Sequence, residues 1–220
     1  IRGLGLALTL TPEVIRQGIQ KGWESVCRGI TDSVGYTSEH ERIFKRHGAF
    51  NDDYDIAWTM LSIAAFSGKK DLSSALPSPQ MLSEELRTFR ADVISWISAR
   101  YGTPVPRDAV RKICAELYFG TELAPGLYRL EIPMLSLHWE DLPLPVGVYT
   151  GRNLPEWQLA KKALGWQDFP DDRIIHSDTG IHKPSPEGLE LLSKRLGCAD
   201  PVFFGDTGSD MKAQAAFGKG

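Results

Sequence analysis

The chain has 220 residues, with 25 Lys and Arg against 28 Asp and Glu, so its formal net charge is -3. This charge excludes the basic surface typical of nucleic-acid-binding proteins, and it gives no attraction to an acidic membrane. No apolar run approaches the roughly 20 residues that a membrane-spanning helix needs. The three cysteines are too few for a disulfide framework, and we therefore expect a reducing, cytoplasmic environment.

Helical spacing dominates the first part of the chain, up to about residue 140, and no convincing strand is predicted in the helical section that begins at Thr11. Residues 4–10 resemble a strand entering a turn, and Thr11 and Pro12 are a typical N-cap and first helical position. The spacing predicts four helices, at residues 12–28, 53–68, 77–102 and 106–120. Glycine is the residue at the end of the last three, as expected for helix C-caps. This part of the chain is predicted to be a helical bundle.

Short apolar runs alternate with helical segments after about residue 140. Strands are predicted at residues 146–150, within 172–178 and at 201–206. Helices are predicted at residues 154–166, 185–197 and 209–217, with Ser185 as a cap and Gly197 as a stop. Strands that alternate with helices favour parallel βαβ units.

Two carboxylates follow the last predicted strand in the sequence PVFFGDTGSDMKAQ, residues 201–214. Ligands bind at the carboxyl ends of strands in open α/β sheets, so Asp206 and Asp210 are candidate site residues. Carboxylates on a loop suit a hard cation such as Mg²⁺. The alternative is that Asp206 only caps the helix that follows.

Two further residues occupy positions where an anion could bind. Thr150 ends the predicted strand 146–150 and precedes Gly151, so its hydroxyl and the neighbouring N–H groups could donate to a phosphate. Lys183 stands before a proline-led helix and could neutralise a phosphate or a nucleophilic carboxylate. The alternatives are a helix cap for Thr150 and a solvated side chain for Lys183.

The order of these features resembles the haloacid dehalogenase-like superfamily, because three of its four sequence motifs occur here in order: Thr150, Lys183 and the Asp206/Asp210 pair. The resemblance implies an α/β fold in which a Rossmann-like parallel-sheet core, residues 1–11 and 140–220, carries an inserted α-helical cap, residues 12–139. It also implies an Mg²⁺-dependent phosphatase that acts on a small phosphomonoester through an aspartyl-phosphate.

The same resemblance implies the role of each site residue. Thr150, Gly151 and Arg152 would bind the phosphate, and Lys183 would balance its charge. Asp206 and Asp210 would hold Mg²⁺. A second similarity, to a subgroup with an Asn-Asp-Asp pattern in its cap, implies substrate contacts from Asn51, Asp52 and Asp53, which alternatively cap the next helix.

The fourth motif, which carries the nucleophilic Asp and the acid/base Asp, is missing. Alignment of Thr9 and Leu10 with the family's Thr-Leu places Gly5 and Ala7 at these two positions. Either the chain is a catalytically inactive relative that binds a ligand or partner, or the nucleophile lies before Ile1. Whether the chain is an enzyme therefore stays open.

Two other functions have less support from the sequence. A dehalogenase would use the same nucleophile without a metal, and the Asp206/Asp210 pair favours the phosphatase. A nucleotide-binding Rossmann protein is suggested by GLGLAL at residues 3–8, but this run lacks the third glycine and the later acidic residue of that motif.

Overall fold

The computed structural model describes residues 37–218, apart from residues 51, 70–71, 90–91, 104 and 123. The predicted strand at residues 4–10 and the predicted helix at 12–28 lie outside the described residues. The described residues divide into two compact units, residues 37–131 and residues 132–218. The sequence predicts a core at residues 1–11 and 140–220 and a cap at residues 12–139. Part of both lies outside the described residues, so this division of the chain stays a prediction.

The first of these, the helical unit, comprises residues 37–131. Its helices are α1 (Ser38–His47), α2 (Asp53–Ser67), α3 (Leu72–Ala75), α4 (Pro79–Leu86), α5 (Val93–Tyr101) and α6 (Arg107–Phe119). Two short strands, β1 (Gly120–Thr121) and β2 (Ala124–Pro125), pair antiparallel after α6. The predicted helices at residues 53–68 and 106–120 are confirmed as α2 and α6, with Gly68 and Gly120 as their C-caps.

The helical unit differs from the sequence predictions in one helix that was predicted and in several elements that were not. The long helix predicted at residues 77–102 is wrong, because α4 and α5 are separate helices. The Thr88 hydroxyl donates to the Glu85 carbonyl at 2.7 Å after the end of α4, and the Asp92 carboxylate accepts the Ser95 N–H at 2.9 Å as the N-cap of α5. The sequence also missed α1, α3 and the β1–β2 ladder.

Helix α2 lies at the centre of the helical unit. Its sequence is apolar around most of the circumference, and the structure buries ten of its residues, from Tyr54 to Ala64. It packs against α5 and α6. The buried Trp58 indole donates to the Val105 carbonyl at 2.9 Å, so its one polar atom has a partner.

The second, the α/β unit, comprises residues 132–218. Its elements in chain order are β3 (Val148–Tyr149), α7 (Leu154–Leu164), β4 (Ile174–Ile175), α8 (Glu187–Leu196) and α9 (Gly208–Phe217). Strands β3 and β4 pair in parallel, with Val148 opposite Ile174 and Tyr149 opposite Ile175. The sequence predicted both strands and all three helices, and β3–α7–β4 is the expected βαβ unit.

Both faces of the β3–β4 pair are buried, because successive side chains of a strand point to opposite faces. One cluster contains residues of β3, β4, α8 and α9: Tyr149, Ile175, Leu189, Leu192 and Ala213. The other contains residues of β4, α7 and the segment that follows α7: Ile174, Trp157, Ala160, Trp166 and Phe169. Helices therefore cover each face of the small parallel sheet, which is the arrangement of an α/β fold.

The predicted strand at residues 201–206 is wrong for this structure. These residues are all described, and they form no ladder with any other described segment. Val202 is 69% exposed and Phe204 is 90% exposed, while Phe203 packs against the Tyr149 cluster. Apolar composition predicts burial, but a strand also needs a neighbour to satisfy its backbone N–H and C=O groups.

Within the described part of the chain, no helix combines the length and the hydropathy needed to cross a bilayer.

Candidate functional site

The loops that leave β3 and β4 are joined by backbone hydrogen bonds. The Thr150 N–H donates to the Ile175 carbonyl at 2.9 Å, and the Ser177 N–H donates to the Arg152 carbonyl at 2.9 Å. The Thr150 hydroxyl oxygen accepts the Arg152 N–H at 3.2 Å. The predicted phosphate-binding residues 150–152 therefore form a tight turn that is fixed at the carboxyl end of the sheet.

Lys183 and Asp210 form a buried ion pair, although 27 positions separate them in the chain. The Lys183 ammonium lies 2.6 Å from Asp210 Oδ1, and the two side chains are only 12% and 5% exposed. Burying two charges is unfavourable unless each is paired and hydrogen-bonded. The structure thus brings together two residues that the sequence singled out, and it excludes the fully solvated alternative for Lys183.

The second carboxylate oxygen of Asp210 faces the turn before α9. Oδ2 accepts the Asp206 N–H at 3.2 Å, the Thr207 N–H at 3.0 Å and the Thr207 hydroxyl at 2.6 Å. Burial raises the pKa of Asp210, but the hydrogen bonds from Lys183 and Thr207 outweigh it and hold the pKa below its usual value. Asp210 is therefore ionised at neutral pH and fixes Lys183 to the turn.

The apolar run at residues 201–204 ends in Gly205 because the backbone there passes close to the Asp210 side chain. A Cβ atom at this position would lie 2.3 Å from the Asp210 Cβ, a distance that no side chain could tolerate. The backbone at residue 205 thus approaches the Asp210 side chain closely, and this approach lets the next two N–H groups reach its carboxylate.

Thr207, and not Asp206, is the N-cap of α9. Its hydroxyl accepts the Asp210 N–H, and the Asp210 side chain reaches back to the Thr207 N–H in a capping box. The alternative in which Asp206 serves only as a helix cap is therefore wrong. Asp206 is instead exposed on the loop.

Asp206 and Asp210 are the type of ligand that a hard cation prefers. They are too few to coordinate such a cation without water or substrate. No group of three or more His, Cys, Asp or Glu side chains suited to a metal occurs among the described residues. Mg²⁺ commonly binds through one or two carboxylates and completes its shell with water and substrate phosphate. Asp206 is the exposed carboxylate that could act as such a ligand, while Asp210 already accepts one hydrogen bond on Oδ1 and three on Oδ2.

Sequence reasoning missed Tyr149, the residue before Thr150. Its hydroxyl donates to the Ser185 carbonyl at 3.1 Å, and its ring centroid lies 5.8 Å from the Lys183 ammonium. Tyr149 therefore connects the end of β3 to the loop that carries Lys183. An aromatic residue directly before the strand-end Thr was the available signal, but sequence alone could not show which residue it would contact.

The predicted substrate residues of the helical unit have structural partners. Asp52 is the N-cap of α2: one oxygen accepts the Tyr54 N–H at 2.8 Å and the other pairs with Arg111 at 2.5 Å. Asp53 pairs with Lys45. The capping alternative is thus confirmed for Asp52, and a substrate contact stays a prediction. Asn51, Gly5 and Ala7 lie outside the described residues.

Comparisons with known proteins agree with the motif order. A search of curated proteins and a search of solved structures each returned no match. A sequence model of the haloacid dehalogenase-like hydrolases matches residues 38–218, which is most of the chain and includes Thr150, Lys183, Asp206 and Asp210. The chain therefore belongs to the haloacid dehalogenase-like hydrolase family.

Proposed function

We propose that the chain is an Mg²⁺-dependent phosphatase that hydrolyses a small phosphomonoester at the carboxyl end of the β3–β4 sheet. The observation that supports this most directly is the buried Lys183–Asp210 ion pair. A buried cation is suited to a dianionic phosphate, because its charge is worth more in a site from which water is excluded. Asp206, four residues before Asp210, adds an exposed carboxylate that a hard cation could use.

Each residue has a proposed task in binding the phosphate. The Thr150 hydroxyl and the Gly151 N–H donate to the phosphate oxygens, and the Arg152 N–H orients the Thr150 hydroxyl by donating to its oxygen. Lys183 offsets the negative charge and is oriented by Asp210. Asp206 holds Mg²⁺, which when bound neutralises charge on the transferring phosphoryl group.

The chemical step needs a carboxylate nucleophile that the described residues do not supply. In this family an Asp attacks phosphorus, and the ester alcohol leaves with a proton from a second Asp. Water then attacks the aspartyl-phosphate, giving inorganic phosphate and the free carboxylate. Gly5 and Ala7 occupy the aligned positions, so turnover by this chain requires an Asp outside the aligned motif.

We also propose that the helical unit is the cap of the family and that Asn51 and Asp52 contact the substrate. Asp52 keeps acceptor capacity beyond its bonds to Tyr54 and Arg111, so it suits a hydroxyl or amino group. Replacement Asp52→Asn should raise KM several-fold with little change in kcat. An equal loss in an Arg100→Met variant, which removes an ion pair elsewhere on the unit, would indicate a structural effect only.

The direct test is a panel of phosphomonoesters assayed with the full chain, with Mg²⁺ and with a chelator. We expect release of inorganic phosphate that requires Mg²⁺ and is abolished in Lys183→Ala. A double variant, Gly5→Asp with Ala7→Asp, should raise the rate at least a hundredfold if these are the motif positions. Absence of turnover in both proteins, under conditions where a control phosphatase works, would contradict the proposal.

The second candidate is an inactive relative that binds a phosphorylated ligand without hydrolysing it. The observation that favours it is the pair Gly5 and Ala7 in place of two Asp. Calorimetric titration with inorganic phosphate distinguishes the two. Binding that is lost in Lys183→Ala, together with no turnover until the double variant is made, would support the inactive relative.

A further inference from the structure

The side chain of Tyr149 is held both by apolar packing and by a hydrogen bond. It is 7% exposed and belongs to the cluster formed with Ile175, Leu189 and two other buried residues. Its hydroxyl donates to the Ser185 carbonyl, two residues beyond Lys183. The ring therefore has a defined position relative to both the sheet and the loop at residues 183–185.

Helix α8 leaves room for this ring only because residue 188 is glycine. A Cβ atom at Gly188 would lie 2.5–2.7 Å from three carbon atoms of the Tyr149 ring. No rotamer change of Gly188 could relieve that overlap, since Cβ is fixed by the backbone. The first turn of α8 thus packs directly on the ring.

The Lys183 ammonium lies within reach of both the ring and a carboxylate. It is 5.8 Å from the Tyr149 ring centroid and 2.6 Å from Asp210 Oδ1. A cation within about 6 Å of an aromatic face is attracted by the ring quadrupole, and this attraction grows as the pair is removed from water. With 12% of its side chain exposed, Lys183 is close to that desolvated limit.

We propose that Tyr149 is a positioning residue: its ring holds the Lys183 ammonium against Asp210, so that the charge is already in place when an anion binds. A lysine side chain has four rotatable bonds. If it were mobile before binding, the anion would have to order it, and the lost conformational entropy would weaken the affinity for the anion. The functional meaning of this positioning rests on the proposed phosphatase function, whereas the positioning itself does not.

The titration of Tyr149 is consistent with this role. Burial, with smaller effects from Glu187 and Asp210, raises the pKa of Tyr149 to about 12. The phenol therefore stays neutral at physiological pH. It keeps its hydrogen bond to Ser185 and does not compete with Asp210 for the lysine as a second anion.

The test separates the ring's electrostatics from its shape. Tyr149→Phe is the reference protein, and fluorinated phenylalanines at position 149 then weaken the quadrupole stepwise with little change of volume. The full chain is treated with acetic anhydride, and the acetylation rate of Lys183 is followed by mass spectrometry. We expect the rate to rise about three- to tenfold from Phe to pentafluorophenylalanine, as the attraction to the ring is lost.

Lys161 is the matched control within the same unit. It is also buried, and its ammonium donates to the Phe169 carbonyl at 3.1 Å, next to the cluster on the other face of the sheet. Its acetylation rate should not change across the series. A flat series at Lys183, or an equal rise at Lys161, would overturn the positioning role.

A second measurement keeps this inference apart from the proposed function. Inorganic phosphate should slow the acetylation of Lys183 in the reference protein, and it should slow it less at each fluorination step. If phosphate gives no protection while the fluorination series still raises the rate, the positioning role stands and the proposed phosphate site fails. If phosphate protects equally across the series, ring positioning does not affect anion binding and the proposal fails.

Discussion

The helical unit and the α/β unit use ionic side chains differently. In the helical unit, Arg107 and Arg111 of α6 pair with Asp55 and Asp52 near the start of α2. These side chains are 14–38% exposed, and each pair joins two helices that pack against each other. In the α/β unit, Lys183 and Asp210 are almost fully buried and lie between loops and a helix end.

This difference indicates different purposes. Partly exposed pairs add modest stability and register to a packed bundle, whereas a buried pair is rarely favoured for stability alone. The α/β unit would be easier to stabilise with two apolar residues at positions 183 and 210. That it contains a charged pair there is consistent with a function in binding a charged ligand.

The largest effect should follow loss of one member of the buried pair. Lys183→Met leaves the Asp210 carboxylate without its countercharge, and we expect a loss of about 3–5 kcal/mol in the free energy of unfolding. Hydrogen exchange should locate this loss in the α/β unit. Adding Asp210→Asn to Lys183→Met should recover much of it, because the uncompensated charge is then removed.

A loss below about 1 kcal/mol would mean that the pair behaves like an exposed one. Arg100→Met is the control, since Arg100 is 49% exposed and its pair with Glu85 is expected to contribute little.

A smaller effect is expected in the helical unit. Arg107 donates to both Asp55 oxygens, at 2.8 and 3.0 Å, and lies 6.0 Å from the Trp58 ring. Arg107→Lys keeps the charge but loses the bidentate geometry, and we expect about 1–2 kcal/mol of destabilisation. Urea unfolding measures the loss of unfolding free energy, and hydrogen exchange should show that protection is lost mainly in α2 and α6. An Arg107→Lys protein as stable as the unaltered one would contradict the contribution of the bidentate geometry.

The candidate site could be predicted in part from sequence. Thr150, Lys183, Asp206 and Asp210 follow a known motif order, and strands with glycine-ended helices have strong local signals. That Lys183 pairs with Asp210 could not be predicted, because 27 residues separate them and the sequence assigned Asp210 to a metal. The capping role of Thr207 was missed because Asp206 and Thr207 are both good N-cap residues.

The errors in the fold have a common physical origin. The helix predicted at residues 77–102 has continuous helical spacing, but the Thr88 hydroxyl bond to the Glu85 carbonyl and the N-cap at Asp92 compete locally with the helix backbone. The strand predicted at residues 201–206 has the right composition, but strand formation depends on a partner that composition does not reveal. In both cases the local sequence pattern fits the predicted element. The helix is interrupted by competing side-chain hydrogen bonds, and the strand has no partner among the described residues.

The Asp210 contacts also predict a pH dependence. Because the folded pKa of Asp210 is lowered below 3.8, its stabilisation is present above that value and is lost as the pH falls through the folded pKa. Thr207→Val removes a hydroxyl donor to Asp210 and the cap of α9, so the folded pKa should rise and the protein should lose about 1 kcal/mol at neutral pH. Carboxyl NMR titration of Asp210 measures the shift, with Asp210→Asn as the reference for acid unfolding. An unchanged pKa in Thr207→Val would contradict the role of this hydroxyl.

The smallest expected effect tests the segment where sequence and structure disagree. Phe204 is 90% exposed, so Phe204→Ser should change the free energy of unfolding by no more than about 0.5 kcal/mol. Phe203, the next residue, packs against the Tyr149 cluster, and Phe203→Ser should therefore cost several times more. Urea unfolding of the two variants compares neighbours of identical chemistry that differ only in burial. A loss of about 3 kcal/mol for Phe204→Ser would instead show that residues 201–206 are buried on both faces, as a central strand would be.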